Sequence, residues 1–122
     1  MPDVLVVDDS RVMREMVTAC LRPEPSLVVT QAASGLEAIE KLSLATFAVV
    51  VLDLNMPDIS GLEVLEFVRS QDKLRELPIV VVTTRGDDVS RSAALAAGAT
   101  RYMTKPFTPE DILAVVREVM AS

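Results

Sequence analysis

The fold is decided by the stretch AVVVLDLNMPDISG, residues 48–61. Its first five residues form an uninterrupted apolar run, which is too short for a typical helix and is typical of a strand covered on both faces in a parallel sheet. Asp53 then lies at the carboxyl end of that strand. Because Asp followed closely by Asn and Pro is also common turn chemistry, the stretch alone leaves open whether Asp53 has a function or only begins a turn.

Four other short segments are predicted to be strands. The five predicted strands are residues 4–7, 27–30, 48–52, 79–82 and 101–104. Most of them end in polar residues, as the third one does. The residues that follow are Asp8, Asp9 and Ser10 after the first strand, Thr83 and Thr84 after the fourth, and Lys105 after the fifth.

Each predicted strand is followed by a segment in which apolar residues recur at helical spacing. Ser34 and Ser60 each stand three residues before a glutamate, which is the capping-box arrangement of a helix start. Thr108 with Pro109 indicates another start, and Gly98 is placed to cap the end of the fourth helix. The predicted apolar faces are Val12, Met13, Met16, Val17, Cys20 and Leu21; Leu36, Ile39 and Leu42; Leu62, Val64, Leu65, Phe67 and Val68; and Ile112, Val115, Val116 and Val119.

This alternation of strands and helices predicts an α/β fold. Five strands, each followed by a helix, favour a doubly wound three-layer sandwich on a five-stranded parallel sheet, since each crossover is long enough to return the chain in the same direction. We expect one domain, residues 1–122, with no further domain after the last helix. In such a sheet, ligands bind beyond the carboxyl ends of the strands, where the winding direction reverses.

The composition excludes several kinds of function. The chain has no histidine, which removes Ser–His and Cys–His catalysis and the commonest transition-metal ligand. Cys20 is the single cysteine, so no internal disulfide can form, and its apolar neighbours predict a small buried side chain. A net charge of −6 without a basic cluster argues against direct nucleic-acid binding. No apolar run approaches about 18 residues and no signal peptide begins the chain, so we expect a soluble cytoplasmic protein without membrane insertion.

The polar residues at the strand ends must be considered together, because a parallel sheet brings them to one edge. Separately, Asp8 and Asp9 could cap a helix, and Thr83 could begin a turn. Lys105 could be an exposed charge. Together with Asp53, however, the clustered carboxylates repel by about 4 kcal/mol per pair at about 4 Å and an effective dielectric constant of about 20, so a bound cation would stabilise them. Oxygen ligands without histidine or thiolate favour Mg²⁺ or Mn²⁺.

Lys105 and Thr83 complete a predicted phosphoryl-binding site. The lysine ammonium suits one phosphoryl oxygen as a compact charge, and the threonine hydroxyl suits another as a neutral donor. Carboxylate, metal, lysine and hydroxyl together describe a site where an aspartate attacks phosphorus and becomes an acyl phosphate.

The same motifs give the sequence its resemblance to a known family. They are Asp8-Asp9, Asp53 followed by Asn55-Met56-Pro57 and Gly61, then Thr83, and finally Tyr102 with Lys105-Pro106. The sequence resembles the receiver domain of two-component response regulators, the CheY-like family, over essentially its whole length. The resemblance implies a flavodoxin-like, CheY-like (βα)5 fold with strand order 2-1-3-4-5, in which Gly61 has a structural role.

The resemblance also implies how the acidic residues act. Asp53 would accept phosphate from a sensor histidine kinase or a phosphotransfer protein. The chain would catalyse only its own phosphorylation and dephosphorylation and would otherwise be no enzyme. Asp9, Asp53 and the Asn55 backbone carbonyl would bind Mg²⁺ directly. Asp8 would act on the ion through water.

The resemblance further implies that the remaining motif residues form a conformational switch. Lys105 and Thr83 would hold phosphoryl oxygens, and the Lys105–Pro106 peptide bond would be cis. Movement of Thr83 toward the phosphoryl group would let Tyr102 turn inward and shift the fourth helix, residues 87–97, so that the surface of helix four, strand five and helix five meets a different protein target. That helix buries mostly alanine, so we expect it to shift most easily. A buried tyrosine with a satisfied hydroxyl is the alternative for Tyr102.

The sequence departs from the family pattern at several positions. Thr84 stands where many receivers carry alanine or glycine, and we expect its bulk beside the incoming phosphoryl group to slow phosphorylation. Ser60 stands where aspartate is frequent, which we interpret as an equivalent helix cap. Thr100-Arg101 replace an acidic pair common in receivers that dimerise, which favours a monomeric shuttle of the chemotaxis kind. Arg85 lies near the expected mouth of the site.

Three other interpretations stay open. A haloacid-dehalogenase-type phosphohydrolase also begins with an aspartate at a strand end, but Asn55 stands where that chemistry needs a second aspartate. A flavodoxin-like flavin binder is disfavoured because Asp8 and Asp9 would repel the flavin phosphate. A receiver that works unphosphorylated, as a docking module, is the third.

Overall fold

The computed structural model describes residues 3–121, in which strands and α-helices alternate in the predicted order. The strands are β1 Asp3–Val7, β2 Val28–Ala32, β3 Val49–Leu52, β4 Ile79–Thr83 and β5 Arg101–Thr104. The helices are α1 Arg11–Leu21, α2 Gly35–Leu44, α3 Gly61–Ser70, α4 Asp88–Ala97 and α5 Pro109–Ala121. A short 3-10 helix, Asp72–Leu74, follows α3 and is not among the predicted elements. Residues 1, 2 and 122 of the predicted domain lie outside the described part of the chain.

The five strands form one parallel sheet in the order β2-β1-β3-β4-β5, as predicted. The chain first winds to one side of β1 to form β2 and then crosses to the other side to form β3. The winding direction therefore reverses between β1 and β3, which is where ligands bind in such sheets. The register pairs Val7 with Leu52, so Asp8 and Asp53 follow directly on neighbouring strands.

The sheet is covered on both faces, because alternate strand residues point to opposite layers. Leu5, Val50 and Val81 belong to the core formed with α2, α3 and α4, whereas Val4 and Val51 belong to the core formed with α1 and α5. Every residue of β3 is buried, as its apolar run predicted. Burial of each such side chain contributes about 1.5–3 kcal/mol, and the two layers together fix the sheet that positions the site.

The helices begin at the predicted caps. Ser34 Oγ accepts a hydrogen bond from the Glu37 backbone N–H at 3.1 Å, and the Glu37 carboxylate accepts one from the Ala33 N–H at 3.0 Å. Ser60 Oγ accepts one from the Glu63 N–H at 3.3 Å. Serine at position 60 therefore caps α3, as predicted for a residue that replaces aspartate.

The fourth helix has the fewest buried residues of the five α-helices. Of its described residues only Ala94 is buried, and Val89 and Leu95 are exposed. Gly98 ends the helix in the left-handed region with φ of 114°, and its N–H donates to the Leu95 carbonyl at 3.1 Å. The prediction that this helix buries mostly alanine is confirmed.

Three residues predicted to lie on apolar helix faces are exposed instead. Val12 is 79% exposed, Leu36 60% and Met16 40%. The buried faces of α1 and α2 are centred on Val17 and Ala38, and successive residues of a helix are about 100° apart. Leu36 therefore lies about 200° around the helix from Ala38, and Val12 about 140° from Val17. The predicted spacing is correct, but the centres of these two faces are wrong.

The remaining composition-based predictions concern Cys20 and the membrane. Cys20 is buried, as predicted, and burial raises the pKa of its thiol. Within residues 3–121, no helix has both the length and the apolar character needed to cross a bilayer.

Candidate functional site

Three carboxylates meet at the carboxyl edge of the sheet, where the winding reverses. One oxygen from each of Asp8, Asp9 and Asp53 lies within 4.8 Å of the other two. Asp8 and Asp53 are buried, whereas Asp9 is exposed. The Asp53 N–H donates to the Val7 carbonyl at 3.0 Å, so the pairing of β1 with β3 continues into the acidic residues and holds them together.

Lys105 reaches the acidic cluster from the end of β5. Its Nζ donates to Asp8 Oδ2 at 3.1 Å and lies 3.8 Å from Asp53 Oδ1, with 14% of its side chain exposed. Its backbone N–H donates to the Thr83 carbonyl at 2.7 Å, which continues the pairing of β4 with β5. The peptide bond between Lys105 and Pro106 is cis, as predicted. One ammonium therefore serves two of the three carboxylates.

The charge of the cluster is only partly compensated. Burial raises the pKa of Asp53, and the carboxylates of Asp8 and Asp9 raise it further. The Lys105 ammonium and the Asn55 backbone N–H act in the opposite direction without reversing the shift. The cluster holds three carboxylates and one ammonium, which contacts Asp8 and Asp53, so two negative charges are left to be balanced.

The donor set fits a hard divalent cation. All three side chains offer carboxylate oxygens, and these oxygens are close enough for one ion to bind them together. Mg²⁺ and Mn²⁺ prefer such ligands, and an ion of charge +2 matches the two uncompensated charges. The sequence contains no histidine, and Cys20 lies in the core with α1 and α5. Softer metals therefore find no suitable ligand at this edge.

Thr83 ends β4 and is fully buried beside the acidic cluster. Its hydroxyl accepts hydrogen bonds from the Arg85 backbone N–H at 3.3 Å and from the Asn55 side-chain amide at 3.4 Å. The Asn55 backbone N–H also donates to Asp53 Oδ1 at 3.3 Å. Asn55 therefore links the Thr83 hydroxyl to Asp53. The sequence pointed only to the Asn55 carbonyl, and the contact made by its amide was missed.

Tyr102 is connected to Thr83 through a single residue. Its hydroxyl donates to the Arg85 carbonyl, while the Arg85 N–H donates to the Thr83 hydroxyl. The Arg91 guanidinium carbon lies 4.9 Å from the centre of the Tyr102 ring. Burial raises the pKa of the Tyr102 hydroxyl, and the Asp87 charge raises it further, so this hydroxyl stays a donor near neutral pH. The Tyr102 hydroxyl is satisfied, and its partner is the backbone of the segment that follows β4.

Gly61 brings the start of α3 against the end of β3. A Cβ at this position would lie 2.6 Å from the Asp53 carbonyl oxygen and 2.7 Å from the Leu54 Cα. The Gly61 N–H donates to the Leu54 carbonyl at 3.0 Å, which fixes this approach. Any side chain would push the helix away from Asp53. Thr84, by contrast, is exposed, so its side chain lies at the surface beside Thr83.

Two residues that the sequence reasoning missed hold the loops that carry the acidic residues. Arg14 donates to the Asp8 carbonyl at 2.8 Å. The Asp58 carboxylate accepts hydrogen bonds from the Leu36 N–H at 2.9 Å and the Gly35 N–H at 3.2 Å, which ties the loop after β3 to the start of α2. Backbone hydrogen bonds, that from Leu36 above all, lower the pKa of Asp58.

Comparisons with known proteins agree with this geometry. The family model described as "response regulator receiver domain" matches residues 4–117. Chemotaxis protein CheY1 of Helicobacter pylori is 41% identical over 108 residues, which cover 88% of this chain and 87% of that protein. The probable transcriptional regulatory protein TcrX of Mycobacterium tuberculosis is 40% identical over 96% of this chain and 49% of its own length. Chemotaxis protein CheY4 of Vibrio cholerae has a solved structure with a TM-score of 0.90, 38% identity and coverage of 98% of both chains. The chain therefore belongs to the response regulator receiver domain family.

Proposed function

We propose that the chain is a phosphorylatable signalling switch in which Asp53 accepts a phosphoryl group from a sensor histidine kinase or a phosphotransfer protein. The observation that carries this proposal is the environment of Asp53, which is buried, grouped with Asp8 and Asp9, and 3.8 Å from Lys105 Nζ. Such a carboxylate has its counter-charge in place before the phosphoryl group arrives. The relatives named as chemotaxis proteins support a signalling role of this kind.

In the proposed reaction an Asp53 oxygen attacks phosphorus and forms an O–P bond. The bond between phosphorus and the donor atom breaks, and its electron pair leaves with the donor. Lys105 exchanges its contacts with Asp8 and Asp53 for a phosphoryl oxygen, because its ammonium sits between them on a flexible stem. The Thr83 hydroxyl turns from acceptor to donor and holds a second phosphoryl oxygen.

Mg²⁺, or Mn²⁺ in its place, is the proposed cofactor. Asp9, Asp53 and the Asn55 backbone carbonyl would hold the ion directly, and Asp8 would hold it through water. When bound, the ion supplies positive charge that offsets the carboxylates and the phosphoryl oxygens. The exposure of Asp9 supports its direct role, because this carboxylate faces the solvent from which an ion would enter.

The signal is proposed to pass from Thr83 to Tyr102 through the backbone of Arg85. A Thr83 hydroxyl that turns to a phosphoryl oxygen releases the Arg85 N–H, and the same residue holds the Tyr102 hydroxyl by its carbonyl. This change would shift α4, which has few buried side chains and packs beside β5. A protein target would then distinguish the two states on the surface formed by α4, β5 and α5.

The partners are therefore proposed to be proteins: a kinase or phosphotransfer protein and a downstream target. Nucleic acid and membrane are not expected as direct partners, since the charge of −6 repels phosphate-rich surfaces. A single domain over residues 1–122, a monomeric state and a cytoplasmic location remain predictions. The family assignment argues against the phosphohydrolase and flavin-binder alternatives.

Phosphorylation by acetyl phosphate tests the acceptor. With Mg²⁺ the wild-type chain is expected to gain the mass of one phosphoryl group, and with a chelator it is expected to gain none. Asp53→Asn should gain none in either condition. Asp72→Asn is the control, because it removes an exposed carboxylate from the 3-10 helix after α3 and leaves the acidic cluster unchanged. A phosphoryl group on Asp53→Asn would contradict the proposal.

A pull-down tests the switch. Beryllofluoride with Mg²⁺ mimics the phosphoryl group, and it is expected to change the set of captured proteins for the wild-type chain but not for Asp53→Ala. If both chains capture the same proteins in both conditions, the docking-module interpretation replaces the switch.

A further inference from the structure

The guanidinium of Arg14 lies under the acidic turn between β1 and α1. Its Nη1 donates to the Asp8 carbonyl at 2.8 Å, across the first turn of α1. Arg11, one turn earlier on the same helix, behaves differently: its side chain is 81% exposed and pairs with Glu15. Two arginines of one helix thus have different tasks, and only Arg14 contacts the residues of the site.

The Arg14 guanidinium is itself held in place by a ring of hydrogen bonds. Its Nε donates to Gln31 Oε1 on β2 at 3.1 Å. The Gln31 amide donates to the Thr18 hydroxyl at 3.1 Å, and that hydroxyl donates to the Arg14 carbonyl at 2.8 Å. The ring joins α1 to the edge strand and contains no carboxylate. These hydrogen bonds to neutral groups therefore fix the orientation of the guanidinium, and no carboxylate competes for it within the ring.

Arg14 completes the fixation of the Asp8 backbone. The Asp8 N–H donates to the Ala32 carbonyl at 3.1 Å, and its carbonyl accepts from Arg14. The Asp8 carboxylate accepts from the Ser10 N–H at 2.9 Å. With the Asp8 carbonyl held, the peptide plane between Asp8 and Asp9 cannot rotate freely, because that plane is rigid. The direction in which Asp9 leaves the strand is set by this plane.

We propose that Arg14 is a positioning residue of the divalent-cation site: it holds the Asp8–Asp9 peptide in the orientation that turns both carboxylates toward Asp53. The inference rests on the proposed function, since it concerns the Mg²⁺ that phosphorylation would require. Hydrogen bonds to metal ligands from residues behind them typically change metal affinity by about tenfold or more. Arg14 acts less directly than such residues do, because it donates to the backbone carbonyl of Asp8 and not to a carboxylate of the site.

Because the proposed role is to orient the turn, the direction in which Mg²⁺ affinity changes when Arg14 is removed can test it. A guanidinium close to the site repels a dication, so its removal would tighten Mg²⁺ binding if charge alone mattered. If Arg14 positions the turn, its removal weakens Mg²⁺ binding in spite of the lost repulsion. The two explanations therefore predict shifts in opposite directions for the same variant.

Calorimetric titration of the full chain with Mg²⁺ is the experiment, carried out well below the melting temperature of every variant. Arg14→Met is expected to raise the Mg²⁺ dissociation constant by about tenfold. Arg14→Lys keeps the charge but lacks the second donor that reaches Gln31, so it should also bind more weakly. Arg11→Met is the matched control, which removes the same charge from the same helix and should bind Mg²⁺ as the wild type does, or slightly more tightly.

One further variant and one further measurement keep the outcomes separate. Gln31→Met leaves Arg14 in place but frees its guanidinium, so it should weaken Mg²⁺ binding by less than Arg14→Met. At saturating Mg²⁺ the phosphorylation rate of Arg14→Met by acetyl phosphate should return toward the wild-type rate, which a general loss of structure would prevent.

The results that overturn the inference are distinct from those that overturn the proposed function. If the wild-type chain binds Mg²⁺, Asp9→Asn loses it, and Arg14→Met binds as tightly as wild type or more tightly, the positioning role is wrong and the proposed function stands. If the wild-type chain binds no Mg²⁺, or if Asp9→Asn binds it unchanged, the proposed metal site fails and the inference fails with it.

Discussion

Lys105 and Arg69 are both long cations drawn in from solvent, yet opposite kinds of partner hold them. Lys105 contacts two carboxylates, those of Asp8 and Asp53. Arg69, on α3, contacts only backbone carbonyls, and its Nε and Nη2 donate to the Gly98 carbonyl at 3.0 and 2.7 Å. Its Nη1 donates to the carbonyls of Leu74, Arg75 and Leu77 at 3.3, 3.0 and 2.7 Å. Burial lowers the pKa of Arg69, but a guanidinium stays protonated.

The difference lies in what can replace each cation's partners. Carboxylates that surround Lys105 can be satisfied by a metal ion, and the ammonium can move to a phosphoryl oxygen, so these contacts can be exchanged during function. The carbonyls around Arg69 lie at the end of α4 and in the segment after α3, so they belong to the backbone and cannot be exchanged for an ion or a phosphoryl oxygen. Lys105 is therefore suited to chemistry, and Arg69 to holding α3 and α4 together.

The largest effect is expected at Lys105. Lys105→Met removes the charge proposed to hold a phosphoryl oxygen, so the rate of phosphorylation by acetyl phosphate should fall by about 10²–10³-fold. The rate is measured from the mass of the phosphorylated chain over time. Lys73→Met, in the exposed 3-10 helix, is the control and should leave the rate unchanged. A wild-type rate in Lys105→Met would contradict the functional role of Lys105 and leave it, like Arg69, with a structural role only.

Arg69 should show the reverse pattern. Arg69→Met removes the side-chain donors from the Gly98 carbonyl and from the carbonyls after α3, which should lower the free energy of unfolding by about 3 kcal/mol. The phosphorylation rate should stay near that of the wild-type chain. Urea denaturation measures the stability. Arg75→Met, which removes an exposed ion pair with Asp72, should cost about 0–1 kcal/mol. Equal losses in the two variants would remove the special role of Arg69.

Gly98 sharpens the comparison because it is the carbonyl partner of Arg69. Gly98→Ala should destabilise the fold by about 1–2 kcal/mol, since alanine is strained in the left-handed region. A Cβ there would also lie 2.6 Å from Arg69 Cγ. In Arg69→Met the same substitution should cost less, because a methionine side chain is not fixed by hydrogen bonds to the Gly98 carbonyl and can move away from the added Cβ. Additive losses in the double variant would show that the two residues act independently.

Asp58 extends the comparison to an anion held by the backbone. Hydrogen bonds, first that from the Leu36 N–H, lower its pKa in the folded chain. Its contribution to stability should therefore be fully present above the unfolded pKa of about 3.9 and be lost as the pH falls through the lower folded pKa. Thermal melts of wild type and Asp58→Asn should differ near neutral pH and converge in acid. A difference that persists unchanged in acid would mean that the charge of Asp58 does not contribute.

The smallest effect is expected at Thr84, an exposed residue that directly follows Thr83 at the end of β4. Thr84→Ala removes bulk from the exposed position beside Thr83, so phosphorylation by acetyl phosphate should become faster, by no more than about tenfold or about 1.4 kcal/mol of barrier. Ser92→Ala, an exposed change on α4, is the control. An unchanged or lower rate in Thr84→Ala would remove steric access as the cause of slow phosphorylation.

The fold was predictable because its signals are local. Runs such as residues 48–52 have a length and β-branched character that are typical of a strand covered on both faces, and caps such as Ser34 and Ser60 mark helix starts. The clustering of Asp8, Asp9 and Asp53 followed from topology alone, since parallel strands end at one edge. The prediction of the buried helix faces was wrong at Val12 and Leu36, because the spacing of apolar residues gives the period of a helix but not which side of it a neighbouring element covers.

The contacts made by long side chains could not be predicted. Arg14 and Arg69 donate to carbonyls that lie 6 and 29 residues away in sequence, and any residue type offers such a carbonyl. Arg14 gave one signal, since it stands three residues before the buried Val17 and so borders the packed face of α1. The link from Thr83 to Tyr102 was also invisible, because Arg85 provides it with its backbone and its side chain carries no information about it.

The contact between Arg69 and Gly98 gives α4 the mechanics of a lever with a fixed pivot. The helix has 10 residues, so its first turn lies about 15 Å from the pinned end. A tilt of about 10° around Gly98 would carry the first turn through roughly 2.6 Å and leave the last turn nearly still. A partner that binds the start of α4, near Asp88, would therefore discriminate strongly between two tilts of the helix. A partner that binds near Gly98 would bind both equally well.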